Sequence, residues 1–334
     1  MIQQLSDFAE SPVSTLAESP SSQVPEDQRI SVTLVNGNQL DLSELSTADL
    51  YQLQWEQETA FASKIKNSEK GSVERAQIIQ QAYQTVCQIL ATASEKEGES
   101  EFAMGMDDRY TDFVAKRLAS LNRKGISGGL FEVGFGSGLL LKSIADQGFE
   151  VGGLEVAPQL LADAKSRLPE QYHKNLCLGN FVQNDKVDAC ENRFSLVYWN
   201  DVFEHIPVDE IEDYLQKIYS ILTPGGQLVT VTPNWHMRPM DVTADHLQPR
   251  STAIGFHLKE YKLGEVCALL KNAGFKTVET PVFVGRRKIY SSRWFSLTTL
   301  KRLVEPALEW IPYSFAVQAC RRFGLTITIA SKPQ

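Results

Sequence analysis

The sequence predicts an α/β fold: a doubly wound, seven-stranded, mostly parallel sheet preceded by an all-helical segment. Three observations carry this expectation. From Gly128 to Ala330 apolar strands and amphipathic helices alternate, the pattern of a parallel sheet covered on both faces. The early strands are continuous apolar runs rather than alternating ones, as burial on both faces requires. A glycine-rich turn, Gly134-Phe135-Gly136-Ser137-Gly138, joins the first of these strands to a helix.

Along the chain, residues 1–45 read as a poorly ordered acidic segment. Met1 to Asp49 holds eight acidic residues against one basic residue, Arg29, and the part up to Arg29 is rich in Ser, Pro and Gln. Within it, "ISVTLVNGNQLDLSEL" has the Asn-Gly turn of a short hairpin. Residues 46–103 read as a helical lid. Ser46 and Thr47 offer an N-cap, followed by Leu50, Leu53, Phe61 and Ile65 at helical intervals. A second helix starts after Ser72, with Ile78, Ile79, Ala82, Val86, Ile89 and Leu90 on one face. The third region, 104–334, opens with the helix "MDDRYTDFVAKRLASLNRKG", closed by Gly125.

The strands are expected at Leu130–Val133, Glu150–Glu155, Asn175–Gly179, Ser195–Trp199, Gln227–Thr232, Lys276–Val284 and Leu325–Ala330. Intervening helices include Ala157–Leu168, Val208–Leu222 and Lys259–Ala273. Residues 285–324 form a basic and aromatic insertion broken by Pro306 and Pro312. Its apolar side either covers the sheet, walls a hydrophobic or anionic substrate, or meets a membrane surface.

Totals exclude several classes. A net charge of -8 repels phosphate backbones, so no nucleic acid is expected as a partner. Five scattered cysteines without a C-x-x-C pair argue for a reducing compartment and against a disulfide framework or metal site. The N-terminus lacks the basic start and apolar run of a secretory signal, and no stretch of about 18 apolar residues exists to span a membrane. A cytoplasmic enzyme is expected, of undetermined oligomeric state.

The glycine turn is the first sign of chemistry. Glycines there let the chain turn sharply and let a ligand approach the backbone. The dinucleotide fingerprint is G-x-G-x-x-G; here the spacing is G-x-G-x-G and Leu139 holds the sixth position. Glu155 ends the second strand, 17 residues after Gly138, where a carboxylate can accept hydrogen bonds from both ribose hydroxyls of an adenosine.

With "LFEVGFGSG", "GLEVAP", "YWNDVFEHIP", "ILTPGGQLVTVTPN" and "FHLKEYKLGEVCALLKNAGF" in this order, the chain from Met104 to Lys332 resembles the class I S-adenosylmethionine-dependent methyltransferases, with their Rossmann-like fold. It is most similar in pattern to small-molecule and sugar-modifying members, including ubiquinone-pathway O-methyltransferases. The resemblance implies S-adenosylmethionine as cofactor. Glu132, Gly134, Phe135, Gly136 and Gly138 would surround its methionine part, Glu155 would hold the ribose and Val156 would pack on the adenine. Asn180 and Phe181 would form the adenine-side loop. Asn180 replaces the family's usual aspartate and would meet the adenine amino group through its carbonyl oxygen. Asn200 and Asp201 would lie near the methionine end, and Tyr110 where family members close over the cofactor.

The cofactor brings its own activation, so the protein mainly aligns the acceptor, a small molecule, and excludes water. An oxygen acceptor also needs a base. Of the five histidines, His173 reads as a surface residue and His205 as a structural or cofactor-side residue. His236, His246 and His257 follow the fifth strand, on the side where strand ends open onto an active site, and are the three catalytic candidates; Trp235, Asp241 and Asp245 share their region. O-methylation is expected first and N-methylation next. A non-catalytic cofactor-binding protein is the rival reading, and a nicotinamide dehydrogenase the third.

Overall fold

The structure, a computed structural model, describes residues 30–98, 107–292 and 294–334. Most of the expected disordered segment, residues 1–29, and the junction 99–106 lie outside the described residues. The described residues open with a hairpin of β1 (Ser31–Thr33) and β2 (Gln39–Asp41), paired antiparallel and closed at Gly37, whose φ of 89° is in the left-handed region.

Two long helices follow. Helix α1 (Thr47–Asn67) starts at a capping box in which Ser46 accepts the Asp49 amide and Asp49 accepts the Ser46 amide. Helix α2 (Val73–Lys96) is capped by Ser72. The pair packs through Phe61, Ala62, Ile65, Ala82 and Val86. The hairpin closes over one end of the pair, where Val32 and Leu42 join Leu50, Ile89 and Ala93. Thr85 Oγ1 donates to Thr33 O at 2.8 Å, which fixes the hairpin to α2.

Next come α3 (Asp108–Arg123), β3 (Gly129–Val133), α4 (Leu139–Asp146), β4 (Val151–Glu155), α5 (Pro158–Arg167), β5 (Leu176–Leu178), α6 (Asp185–Asp188), β6 (Phe194–Asn200), α7 (Ile211–Ile221) and β7 (Leu222–Val231). Then α8 (Leu263–Asn272), β8 (Thr277–Glu279), β9 (Phe283–Val284), β10 (Ile289–Tyr290), α9 (Thr298–Val304), α10 (Tyr313–Arg322) and β11 (Ile327–Ser331) complete the chain. Seven strands form one sheet in the order β5-β4-β3-β6-β7-β11-β8. The first five run parallel; β11 is antiparallel to both β7 and β8. The mostly parallel doubly wound sheet read from the sequence is therefore the one observed. Its two faces carry two large cores, one with Phe131, Phe194, Trp199 and Ile218, the other with Leu130, Leu141, Leu196 and Ile329.

Two strand ends differ from the sequence reading by five residues. Strand β7 begins at Leu222, not Gln227, because the turn "TPGG" is absorbed as an irregularity: Phe194 pairs with Leu222, then Leu196 with Gln227. The sixth strand stops at Glu279 instead of reaching Val284. Pro281 has no amide to donate to a ladder, and Phe283–Val284 pairs instead with Ile289–Tyr290 in a separate ribbon.

The strand order reverses between β3 and β6. Loops leaving their carboxyl ends diverge there and open a crevice, the usual place for a ligand in such sheets. The helical pair is fastened across this crevice. Arg75 of α2 is buried and bonds Asp209 at 2.8 Å and Glu210 at 2.9 Å, just before α7. Glu210 also accepts the Gly71 amide. Removing one partner of such a buried pair leaves an uncompensated charge.

Helix α1 contributes a second buried acid. Glu58 accepts a hydrogen bond from Gln54 Nε2 at 2.7 Å. Burial, reinforced by the Asp241 charge, pushes its pKa from 4.5 to about 7. Its folded-state pKa lies above the unfolded one, so its contribution to stability is full below pH 4.5 and is lost as pH rises through about 7. Glu58→Gln, which cannot ionise, is expected to be more stable than the wild type at pH 8, by up to about 3 kcal/mol. That advantage disappears near pH 4.5, a comparison urea denaturation at the two pH values measures directly.

Candidate active site

A cavity of about 680 Å³ opens at the carboxyl ends of β3, β4 and β6, within the range of small-molecule and cofactor sites. Its floor is the glycine turn after β3, with Val133, Gly134, Phe135 and Gly136. Gly134, Gly136 and Gly138 have φ of 69°, 55° and 78°, all left-handed, a run that residues with a Cβ rarely adopt. Gly134 also lacks room: a Cβ there would stand 2.6 Å from Val202 Cγ2. Gly138 serves packing, since its missing Cβ lets α4 approach Ala164 of α5, and it does not line the cavity.

Glu155, the last residue of β4, holds this turn in place. One carboxylate oxygen accepts the Gly136 amide at 2.8 Å. The other accepts the amides of Val156 at 2.8 Å and Ala157 at 3.1 Å. Burial raises the Glu155 pKa, against the pull of those three amides. A carboxylate offers about four lone-pair positions. Three are taken, so there is room for one ligand hydroxyl as the turn stands, where the sequence reading assigned two.

Glu132 lies on β3 beneath the turn. It is buried, its Oε2 has no hydrogen-bond partner, and it lines the cavity. Burial, with the Glu155 charge nearby, drives its pKa well above the ordinary carboxylate range. A buried oxygen of this kind is costly unless a ligand donor meets it. The cavity lining carries three carboxyl groups, Glu132, Glu155 and Asp201, and two guanidinium groups, Arg109 and Arg321.

Beyond β6, Asp201 adopts a φ of 58°, uncommon for a residue with a Cβ, and its amide donates to Val231 O at 3.1 Å. Glu204 follows, fully buried, with neither carboxylate oxygen partnered. Its pKa stands well above the usual range because of burial and the Asp201 charge. His205 lines the cavity, and burial, then His257, lowers its pKa to about 4. The His257 ring meets the His205 ring edge-on at 4.8 Å. Its Nδ1 is 3.1 Å from Glu260 and its Nε2 is 3.9 Å from Asp201. Burial works against a charged His257, but Glu260, Asp201 and Asp241 outweigh it and raise the pKa.

One ligand atom from each of Asp201, Glu204, His205 and His257 lies within 4.8 Å of the others. No metal was expected from the sequence, yet two carboxylates and two imidazoles are a donor set that suits a divalent cation. The signal was present in "NDVFEH", but the fourth donor lies 52 residues further on and only the fold supplies it.

Of the residues singled out from sequence, Tyr110, Glu132, Gly134, Phe135, Gly136, Glu155, Val156, Phe181, Asn200 and Asp201 all line the cavity. Asn180 does not: its carbonyl oxygen already accepts the Val182 and Gln183 amides at 2.9 and 3.1 Å. The Phe181 ring is fully buried and stacks on Tyr214, so it supports the cavity from the core. Among the catalytic candidates, His257 stands directly behind His205. His236 is drawn away by Glu309, 2.9 Å from its Nδ1, and His246 stacks on Trp55 of α1 on the surface at 4.0 Å. Neither lines the cavity, nor do Trp235, Asp241 and Asp245.

Sequence reasoning missed Tyr83 and Cys87, which with Ile79 form the α2 side of the cavity. Their spacing of four along a helix is the signal that could have found them. It also missed Arg109, Met237, Met240 and Arg321, which come from three separate segments.

Comparison with known proteins agrees with this geometry. Residues 131–228 match the family described as a methyltransferase domain. An uncharacterized methyltransferase of Alkaliphilus oremlandii is 30% identical over 98 residues, which are 29% of this chain and 42% of that protein. A ubiquinone biosynthesis O-methyltransferase of Xanthomonas axonopodis pv. citri is 28% identical over 174 residues, 49% of this chain and 67% of its own. The chain thus spans about half the length of the curated relatives it matches. Among solved structures, SAM-bound CalS10, an amino pentose methyltransferase from Micromonospora echinaspora, aligns with 28% identity and a TM-score of 0.31, over 37% of this chain and 50% of that one.

The acid-imidazole cluster has a direct test. Manganese is expected to raise the thermal midpoint of the wild-type protein and to leave that of Glu204→Gln unchanged, because a ligand that binds only the folded state stabilises it. Equal response of the two proteins would show that the ion binds elsewhere.

Proposed function

We propose that this chain, whose central part is a class I S-adenosylmethionine-dependent methyltransferase domain, binds S-adenosylmethionine and directs its methyl group to an oxygen of a small molecule. The observation that carries the reading is the cavity in which Glu155 fastens the glycine turn and the Glu132 oxygen has no partner. The residues present fit that cofactor: Glu155 has a lone-pair position for a ribose hydroxyl, Glu132 an oxygen for an ammonium, and the left-handed glycines leave the turn's backbone open to close approach.

When bound, S-adenosylmethionine supplies an electrophilic methyl carbon on a sulfonium. The chain's own part is to orient and to exclude water. Tyr83, Ile79 and Cys87 of α2 cover the cavity as a lid, held down by Arg75. We read the described part of the expected lid, residues 46–98, as the cover that encloses the substrate. On this reading the acceptor hydroxyl passes its proton to His205, which lines the cavity, with His257 behind it and Glu260 on the Nδ1 of His257. That pair is what favours oxygen over nitrogen as acceptor atom. The names of two curated relatives, both ubiquinone biosynthesis O-methyltransferases, support the same choice. Five buried thiols and no disulfide among the described residues support a cytoplasmic setting.

Calorimetry with S-adenosylmethionine, S-adenosylhomocysteine and NAD tests the cofactor. Micromolar-range binding of the first two is expected, weakened at least about ten-fold in Glu155→Ala, with none for NAD. Binding of NAD alone would overturn the reading. His257→Asn is expected to lower turnover by about two orders of magnitude on a phenolic acceptor while leaving cofactor affinity unchanged. A loss of cofactor affinity instead would assign His257 a purely structural role.

A further inference from the structure

The segment between β8 and β11 presents an apolar surface that the sheet does not use. Ten of the sixteen large apolar side chains exposed among the described residues fall between Tyr290 and Phe323. Trp294 and Trp310 are each 89% exposed, Leu303 74%, Phe295 69% and Phe315 62%. Isolated exposed apolar residues are ordinary; this density in one segment is not. Its pieces also form one body, since α10 packs on β9 and on the turn Glu305–Trp310 that continues from α9.

Charge identifies what it faces. Residues 285–324 hold eight basic and two acidic residues in a chain whose net charge is -8. Neither acid is unpaired. Glu305 is buried and accepts from Asn234 Nδ2 at 2.7 Å and the Leu263 amide at 2.6 Å. Glu309 is held by His236 and Arg238. Lys301 is buried as well, with its ammonium on Thr280 and Pro281. The exposed basic residues Arg286, Arg287, Lys288, Arg302, Arg321 and Arg322 thus outnumber the one half-exposed acid, Glu309, which His236 and Arg238 hold.

We propose that this segment docks the protein on the surface of an anionic phospholipid bilayer. Short helical pieces with exposed tryptophan and leucine beside arginine and lysine are what lies in a headgroup plane. The acidic remainder of the chain turns this face towards negative lipid and itself away. A second copy of the chain is disfavoured as occupant, because a two-fold contact would set six basic residues against six more. Attachment is peripheral: among the described residues no helix is long and apolar enough to cross a membrane. Val284 and Arg321 line the cavity and belong to the same part of the chain, so a bilayer on this face lies beside the active site. Docking stands independently of the chemistry assigned to the cavity.

The test is co-sedimentation of the full chain with vesicles of equal parts phosphatidylcholine and phosphatidylglycerol, and with pure phosphatidylcholine. Binding to the anionic vesicles only, weakened by raised salt, is expected. The double variant Trp294→Ala/Trp310→Ala is expected to lose at least about ten-fold in binding. Arg286→Glu/Arg287→Glu should lose as much. These side chains are exposed, so circular dichroism and the thermal midpoint of the variants should match the wild type. No binding to anionic vesicles, equal binding to both kinds, binding that the variants retain, or a wild-type dimer that Trp294→Ala/Trp310→Ala converts to monomer would each overturn the proposal.

Discussion

The Glu155 carboxylate is the contact on which the cavity depends. It accepts amides from the turn after β3 and from the turn after β4, so a single side chain sets the distance between two strand ends. Three amide donors on one buried carboxylate form a charge-assisted bridge, stronger than the same number of neutral hydrogen bonds. The left-handed run at Gly134, Gly136 and Gly138 is what lets the Gly136 amide point at that acid. Each half needs the other: without the glycines the amide points elsewhere, and without the acid the Gly136 amide loses its acceptor.

The rest of the molecule is arranged around this fixed floor. Helix α2 lies over it, with Cys87 packed against Ala157 and Leu160 at the start of α5, immediately after Glu155. Arg75 locks the other end of the same helix to the start of α7. Cover and floor are thus tied at two points, one apolar and one ionic. Between them stand three buried carboxylates that lack a full set of partners, Glu132, Glu204 and Glu260. Unpaired acids at this depth are costly, and of the three Glu132 lines the cavity.

The sheet was legible in the sequence because its signals are local. Continuous apolar runs, the glycine turn and helices closed by glycine each state an element without reference to distant residues. Strand β8 ended early because Pro281 was read through as part of a run, though a missing amide forbids it in the ladder. The floor of the cavity was legible for the same reason: Glu132, Gly134, Gly136 and Glu155 sit at strand ends and line it. The histidines were not. His236, His246 and His257 look alike in sequence, and what separates them is which carboxylate or ring each meets: Glu309, Trp55 or Glu260. Those partners lie 73, 191 and 3 residues away, so only the folded chain distinguishes them. Asn180 misled for a related reason, because its short polar side chain satisfies its own turn.

The most direct test of the central claim is a crystal structure of the protein with S-adenosylhomocysteine. The account predicts a ribose hydroxyl on Glu155 with the Gly136 amide still bonded to the same carboxylate, and the ligand ammonium beside Glu132. A ligand seated in the cavity without touching Glu155, or a turn that releases Gly136 on binding, would contradict it.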